Sequence, residues 1–289
     1  MTYVITADYH THTKYSDGKG SIEDNVVAAV SKGLKRIAIS DHGYNHIGIG
    51  MKLKDFDKIR SEINRLNERY PSIEILMGVE ASPIGLNGEI DVPDHLIHRF
   101  DLISVGYHRA VIPFTLKDAW QLFLKNRINA ISRMDRYELC RINTLALINS
   151  IERNPVSIIT HPGAKAQIDI KLLAEHAVKK NVALEINPHH DVYLTRKDNS
   201  MHKATSYQQI SPKNVEYVKI ALEEGASFVI NSDAHAPGEV GDFDIALKIA
   251  ELAGVPVNRI INAECIDKTI GAGGSTHALS RDNRSFRSR

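Results

Sequence analysis

Seven short apolar runs recur along the chain with helical stretches between them, and this alternation leaves few folds open. The runs are Tyr3–Ala7, Arg36–Ser40, Ile73–Val79, Leu102–Gly106, Val156–Thr160, Val182–Ile186 and Ser227–Asn231. Each is rich in β-branched residues and has the length of a buried strand. Apolar spacings of three and four mark helices over Ser21–Lys32, Asp55–Arg69, Asp169–Lys180, Lys213–Glu224 and Asp242–Ala253. Ser21, followed by Glu23 and Asp24, suits a helix start, and Gly33, Gly225 and Gly254 suit helix ends. Strand and helix alternating this often imply a parallel sheet, and over 289 residues a closed barrel is expected rather than an open sheet.

One segment departs from the rhythm. Pro113–Ile151 holds two candidate helices, Leu116–Asn129 and Asp135–Ile151, and reads as a helical elaboration (113–151) within a single domain over 1–270. From Gly271 onward the sequence turns to Gly, Ser, Arg and Asn, so 271–289 is expected to be a disordered tail. Lys and Arg number 36 against 35 Asp and Glu, so no broadly basic surface is expected and nucleic acid is not an expected partner. The two cysteines, Cys140 and Cys265, argue against a disulfide-rich secreted protein and for a reducing, cytoplasmic setting. There is no signal-peptide pattern at the start, and no apolar run approaches the roughly 20 residues of a membrane span, so a membrane is not an expected partner either.

The chemistry gathers where the strands end. His10 and His12 follow the first run, Asp41 and His42 the second, Glu80 the third, and His108 the fourth. His161 follows the fifth, Asn187, His189 and His190 the sixth, and Asp233 and His235 the seventh. Residues two apart on a strand share a side, so Asp8, His10 and His12 are expected to project together. Parallel barrels build their active sites from the carboxyl ends of their strands, so all of these residues are expected to face one cleft. Packing alone gives no reason to place histidine there, and converging imidazoles suit zinc, manganese or iron. One zinc takes about four ligands, so a set this large implies two or three ions, with the central Glu80 as a natural bridge. Such clusters hold a hydroxide between ions and clamp phosphoryl oxygens during displacement.

Taken in order, the motifs resemble those of the PHP (polymerase and histidinol phosphatase) family of metal-dependent phosphoesterases. They are DYHTH at Asp8–His12, SDG at Ser16–Gly18, ISDH at Ile39–His42, GVE at Gly78–Glu80, the YH ending at His108, THPG at Thr160–Gly163 and SDAH at Ser232–His235. The resemblance implies a distorted (β/α)7 TIM-like barrel with a trinuclear metal centre. It implies that His10, His12, Glu80 and Asp233 hold one ion, Glu80, His108 and His161 a second, and Asp17, His42 and His235 a third. Within the family, the stretch Ile168–Asn187 and Thr195–Lys197 are similar to small stand-alone phosphatases, including the histidinol-phosphatase-like group.

The expected activity is therefore hydrolysis of a small phosphate monoester through a metal-bridging hydroxide, with His10, His12, Glu80 and Asp233 catalytic through the ions they hold. Arg109, Lys165, Arg196 and His189 are candidate substrate contacts. The Gly-rich loop Gly43–Gly50 is a candidate lid, with His46 and His190 as further candidates to line the cleft. Three other readings stand beside this one: a metal-dependent amidohydrolase, a phosphodiesterase or nuclease of the same family, and a non-catalytic metal-binding regulatory module.

Overall fold

The apolar runs pair in the order in which the chain makes them. The computed structural model describes residues 2–108, 110–126, 136–187 and 210–266. Its strands are β1 (Thr2–Ile5), β2 (Ala7–Thr11), β3 (Arg36–Ile39), β4 (Glu74–Ala81), β5 (Leu102–Val105), β6 (Ile158–Ile159), β7 (Ala183–Ile186), β8 (Phe228–Ile230) and β9 (Ala263–Ile266). Strands β2 to β8 form one sheet in sequence order, each parallel to its neighbours. A parallel bridge between Thr11 and Ala234, with His12 N donating to Ala234 O at 2.8 Å, nearly closes that sheet into a barrel. The expected α/β barrel is the observed architecture.

The first run departs from expectation. Tyr3–Ala7 does not form one barrel strand, because the chain divides at Thr6. Thr6 N donates to Asn262 O at 2.9 Å, and Thr6 O accepts from Lys35 N at 2.7 Å. Before this pivot, β1 pairs antiparallel with β9 in a separate ribbon. After it, β2 enters the barrel, so His10 lies within the strand rather than beyond it. No sequence signal marked β9 as a strand.

Helices α1 (Ile22–Ser31), α2 (Phe56–Arg69), α3 (Arg136–Arg153), α4 (Ile170–Lys180), α5 (Pro212–Glu223) and α6 (Asp244–Ala253) follow the predicted periodicities. A capping box between Ser21 and Asp24 starts α1, and Gly33, at φ 72°, lies just past its end. Val26, Ile59, Ile63, Leu173 and Ile249 of these helices pack with Ile37, Met77, Val105, Ile186 and Ile230 of the strands in one large core outside the barrel. In the 113–151 segment, Leu116–Asp118 leads into a π-helical turn, Ala119–Leu124, and Leu122 packs with Tyr107, Ile142 and Ala146. The end of the helix expected over Leu116–Asn129 and the whole 271–289 tail lie outside the described residues. Among the described residues, no helix is long and apolar enough to cross a membrane.

Strand alternation stacks the barrel interior in layers. Ala38, Leu102, Ile158, Ala183 and Val229 form an apolar floor with Ala7 and Tyr9. Two residues further along the same strands come Ser40, Ser104, Thr160, Glu185 and Asn231, all buried and all polar. Two more bring His42, Gly106, Asn187 and Asp233. In β2, the pairing with β3 shifts register between Asp8 and Thr11. Tyr9 therefore belongs to the floor, while His10 and His12 turn into the site above it.

Candidate metal centre

Two imidazoles and a carboxylate meet at the top of β2. His10 Nε2 lies 3.1 Å from His12 Nε2, and Asp233 Oδ1 lies 3.3 Å from the first and 3.2 Å from the second. Ligands about 2.0–2.1 Å from one zinc in tetrahedral geometry stand about 3.3 Å apart, so the triangle has the size that one ion requires. Asp233 holds its place at φ 53°, a left-handed backbone that few side chains adopt.

Glu80, at the end of β4, joins this group to its neighbours. Its Oε1 lies 2.7 Å from His161 Nε2 and 3.3 Å from His108 Nε2. Its Oε2 lies 3.0 Å from His42 Nδ1, 3.4 Å from His10 Nε2 and 3.7 Å from His12 Nε2. The carboxylate fits because Gly106 stands across from it. A Cβ there would come within 2.9 Å of Glu80 Oε1 and 2.2 Å of Thr160 Oγ1. Nearer the solvent, Asp17 Oδ2 lies 3.5 Å from His42 Nε2 and 3.4 Å from His235 Nε2. Asp17 and His235 keep about a quarter to a third of their side chains exposed, whereas His10 and His12 have none, so the centre opens to solvent on the Asp17 side.

Among the described residues, three compact groups could each hold an ion: His12, Asp17, His42 and His235; His10, His12 and Asp233; and His42, Glu80 and His108. The grouping differs in part from the one that family resemblance implies. His42 stands between two groups, with one ring nitrogen toward Asp17 and the other toward Glu80. His161 meets the centre through Glu80 Oε1 and stands edge-on to the His108 ring at 5.3 Å. The donors are imidazole nitrogens and carboxylate oxygens, suited to divalent transition metals. His42 Nδ1 and His108 Nε2 are buried, face Glu80 and have no well-aligned hydrogen-bond partner among the described residues. Buried nitrogens of this kind are costly unless something such as a cation completes them.

The charge balance suits that role. Burial and the neighbouring His42 push His12 down to about 3, and burial drives His108 well below the usual histidine range. Both are thus held neutral, the form that binds a metal. Burial opposes the charge on Glu80, yet the imidazoles around it, His10 among them, hold its carboxyl well below the usual carboxylate range. Burial also opposes a proton on His10, but Glu185, Asp233 and Glu80 together raise it well above its usual value.

Further contacts orient these groups. Ser82 Oγ meets His108 Nδ1 at 2.8 Å, and Ser82 N donates to Asp91 Oδ1 at 2.6 Å. Glu185 Oε1 meets His10 Nδ1 at 2.8 Å. Sequence reasoning passed over Glu185, Ser82 and Asp91. The one available signal was a carboxylate inside the apolar run VALEI.

Two acids flagged at strand ends serve the scaffold instead. Asp8 accepts from Ser232 Oγ at 2.6 Å and Gly241 N at 2.9 Å, so it does not join His10 and His12. The register shift in β2 is the reason. Asp41 accepts from Thr13 N and Thr13 Oγ1, both at 2.7 Å, and steadies the loop that carries Asp17.

Of the expected substrate contacts, Lys165 is half-buried, and its charge depresses the basicity of His108 and His46. Arg109, Arg196, His189 and His190 lie outside the described residues. The His46 ring stacks on His42 at 4.7 Å and stands edge-on to His108 at 5.3 Å. Its loop, expected as a lid, is tied down: Gly43 N donates to Glu80 O, Tyr44 N to Asp91 O, and Ile47 N to Ala110 O. It is a wall of the site.

Residues 8–221 match the PHP domain family. A probable phosphatase of Shewanella frigidimarina is 30% identical over 259 residues, 88% of each chain. The probable phosphatase YcdX of Shigella flexneri is 30% identical over 263 residues, covering 88% of this chain and 89% of the relative. A histidinol phosphate phosphatase of Lactococcus lactis, solved with zinc, L-histidinol and phosphate, shares the fold. Its TM-score is 0.56 at 15% identity, over 86% of this chain and 93% of that one.

Proposed function

Because the chain belongs to the PHP family, we propose that it is a metal-dependent phosphatase that hydrolyses a small phosphate monoester. The observation that carries this reading is Glu80, whose two oxygens face different sets of imidazoles, as neighbouring cations sharing one carboxylate require. Two or three divalent ions, zinc, manganese or iron, would be held by His10, His12, Asp17, His42, Glu80, His108, His161, Asp233 and His235. Bound there, they would supply a nucleophile at neutral pH and neutralise the charge that develops on the phosphoryl oxygens.

The chain's own residues then position the substrate. Lys165 brings a positive charge toward His108 and His46, suited to a phosphate oxygen. His46, kept neutral by burial and by His42, walls the cleft beside it. Arg109, Arg196 and His189 remain proposed substrate contacts. The buried inner face excludes bulk water, and the Asp17 side admits the ester.

The test pairs metal content with turnover. The purified protein is assayed for zinc, manganese and iron, and for hydrolysis of a chromogenic phosphate monoester, the matching diester, histidinol phosphate and an amide panel. A His10→Ala, His12→Ala variant runs alongside. Bound metal with monoester hydrolysis that the variant loses is the expected result. Preferential diester cleavage would make the protein a phosphodiesterase, amide cleavage alone would make it an amidohydrolase, and metal without any turnover would make it a regulatory module.

A further inference from the structure

We infer that Glu185 is a positioning residue that couples two ion sites of the centre and acts least on the third, which shares only His12 and His42 with them; the inference rests on the metal-centre reading above. Glu185 is 1% exposed and lies on β7 with its side chain in the buried polar layer of the barrel interior, on the face opposite Leu184 and Ile186. A carboxylate in such surroundings is tolerated only when its oxygens are fully engaged.

Four donors converge on it. On Oε1, His10 Nδ1 approaches to 2.8 Å and Asn231 Nδ2 donates at 2.8 Å. On Oε2, His161 N donates at 2.8 Å and Asn187 Nδ2 at 2.7 Å. A carboxylate can only accept, so when a cation replaces the proton on His10 Nε2 the remaining proton stays on Nδ1, and the Nε2 lone pair is aimed toward His12, Asp233 and Glu80. The second oxygen has a different task. His161 sits at φ 30°, and the bond from its N–H to Glu185 holds that turn, which sets the His161 ring 2.7 Å from Glu80 Oε1.

One carboxylate thus orients a ligand on each side of Glu80: His10 in the group with His12 and Asp233, and His161 beside His108. The third group is arranged by other contacts. His42 and His235 converge on Asp17, and His235 Nδ1 meets the Asp233 carbonyl at 2.9 Å.

Glutamine at this position keeps the shape but offers one acceptor where four donors meet. Whichever way the amide lies, His10 or His161 faces a donor. The test titrates metal-free protein with zinc, counts ions by native mass spectrometry and records thermal melts of the metal-free forms. With Glu185→Gln, zinc affinity at the two coupled sites is expected to fall by about 10–100-fold, so that at zinc just sufficient to saturate wild type, the level at which all variants are counted, one ion is retained. Metal-free melting is expected to stay within a few degrees of wild type. Asp17→Ala is expected to lose one ion by itself, and the double variant to bind none.

Wild-type uptake in Glu185→Gln, or loss of a single ion, overturns the coupling while leaving the centre intact. A wild-type protein that takes up no zinc overturns the centre itself, and the coupling with it. If the amide prevents folding, Glu185→Asp takes its place: weakened uptake at two sites supports the coupling and unchanged uptake overturns it.

Discussion

At the floor of the barrel, Ala38, Leu102, Ile158, Ala183 and Val229 touch one another. Four residues further along the same strands, the interior holds His42, Gly106, Asn187 and Asp233. The floor residues lie within the paired strands, whereas the upper ones follow just past the strand ends. The floor gains stability from buried apolar surface and needs no partner. The upper layer gathers carboxylates and imidazoles that are costly to bury, and its balance depends on what it binds. This fold keeps the energy of folding and the chemistry apart along the barrel axis, and does so with strands of only two to eight residues.

The separation breaks most visibly at Glu80. Glu80→Gln is expected to lower kcat/KM on a phosphate monoester by at least about 10⁴-fold, with metal-free melting little changed. Steady-state kinetics beside thermal melts test this, and a variant that unfolds would show that the upper layer is structural too. Leu102→Ala probes the floor. It should cost about 2–5 kcal/mol in urea unfolding while the folded fraction keeps its kcat.

Asp91 sharpens the contrast through pH. Burial raises its carboxyl to about 7, so between about pH 4 and pH 7 the folded chain keeps a proton that the unfolded chain releases. Its contribution to stability is greatest below that window and is lost as pH rises through it. From about pH 5 to about pH 8, metal-free wild type should therefore lose on the order of 2–3 kcal/mol relative to Asp91→Asn, as read from urea melts. The smallest change is Gly106→Ala. A methyl group so close to Thr160 and Glu80 must displace the bridge, and zinc affinity should fall by about 10–100-fold with little loss of stability.

Much of this architecture was legible in the sequence because each signal has a single physical cause. β-branched runs of strand length, spaced by helices, require a parallel sheet. Histidine rarely ends a buried strand for reasons of packing, so six strands ending in metal-binding residue types marked one site. Other features leave weaker traces. The break at Thr6 depends on Asn262, some 256 residues away. β9 reads AECI, with too few β-branched residues to stand out. The register shift in β2, which takes Asp8 away from the histidines, follows from pairing with β3 and leaves no mark in β2 itself. Glu185 occupies a strand position that alternation permits to be polar, so only its neighbours reveal its task.

The bridge that nearly closes the barrel also bears on how the protein is made. Tyr9 N reaches Asn231 across 222 residues, and Asp8 reaches Ser232 across 224. His10 and Asp233, which face one another, are separated in the same way. During vectorial synthesis, the first strand of the sheet must wait for the last before either histidine meets Asp233. Contacts this distant form late, since their loop entropy is recovered only when the intervening chain has packed. Metal uptake at that seam would then report that the whole length between has been translated and folded, so a stalled or truncated chain would remain unable to load.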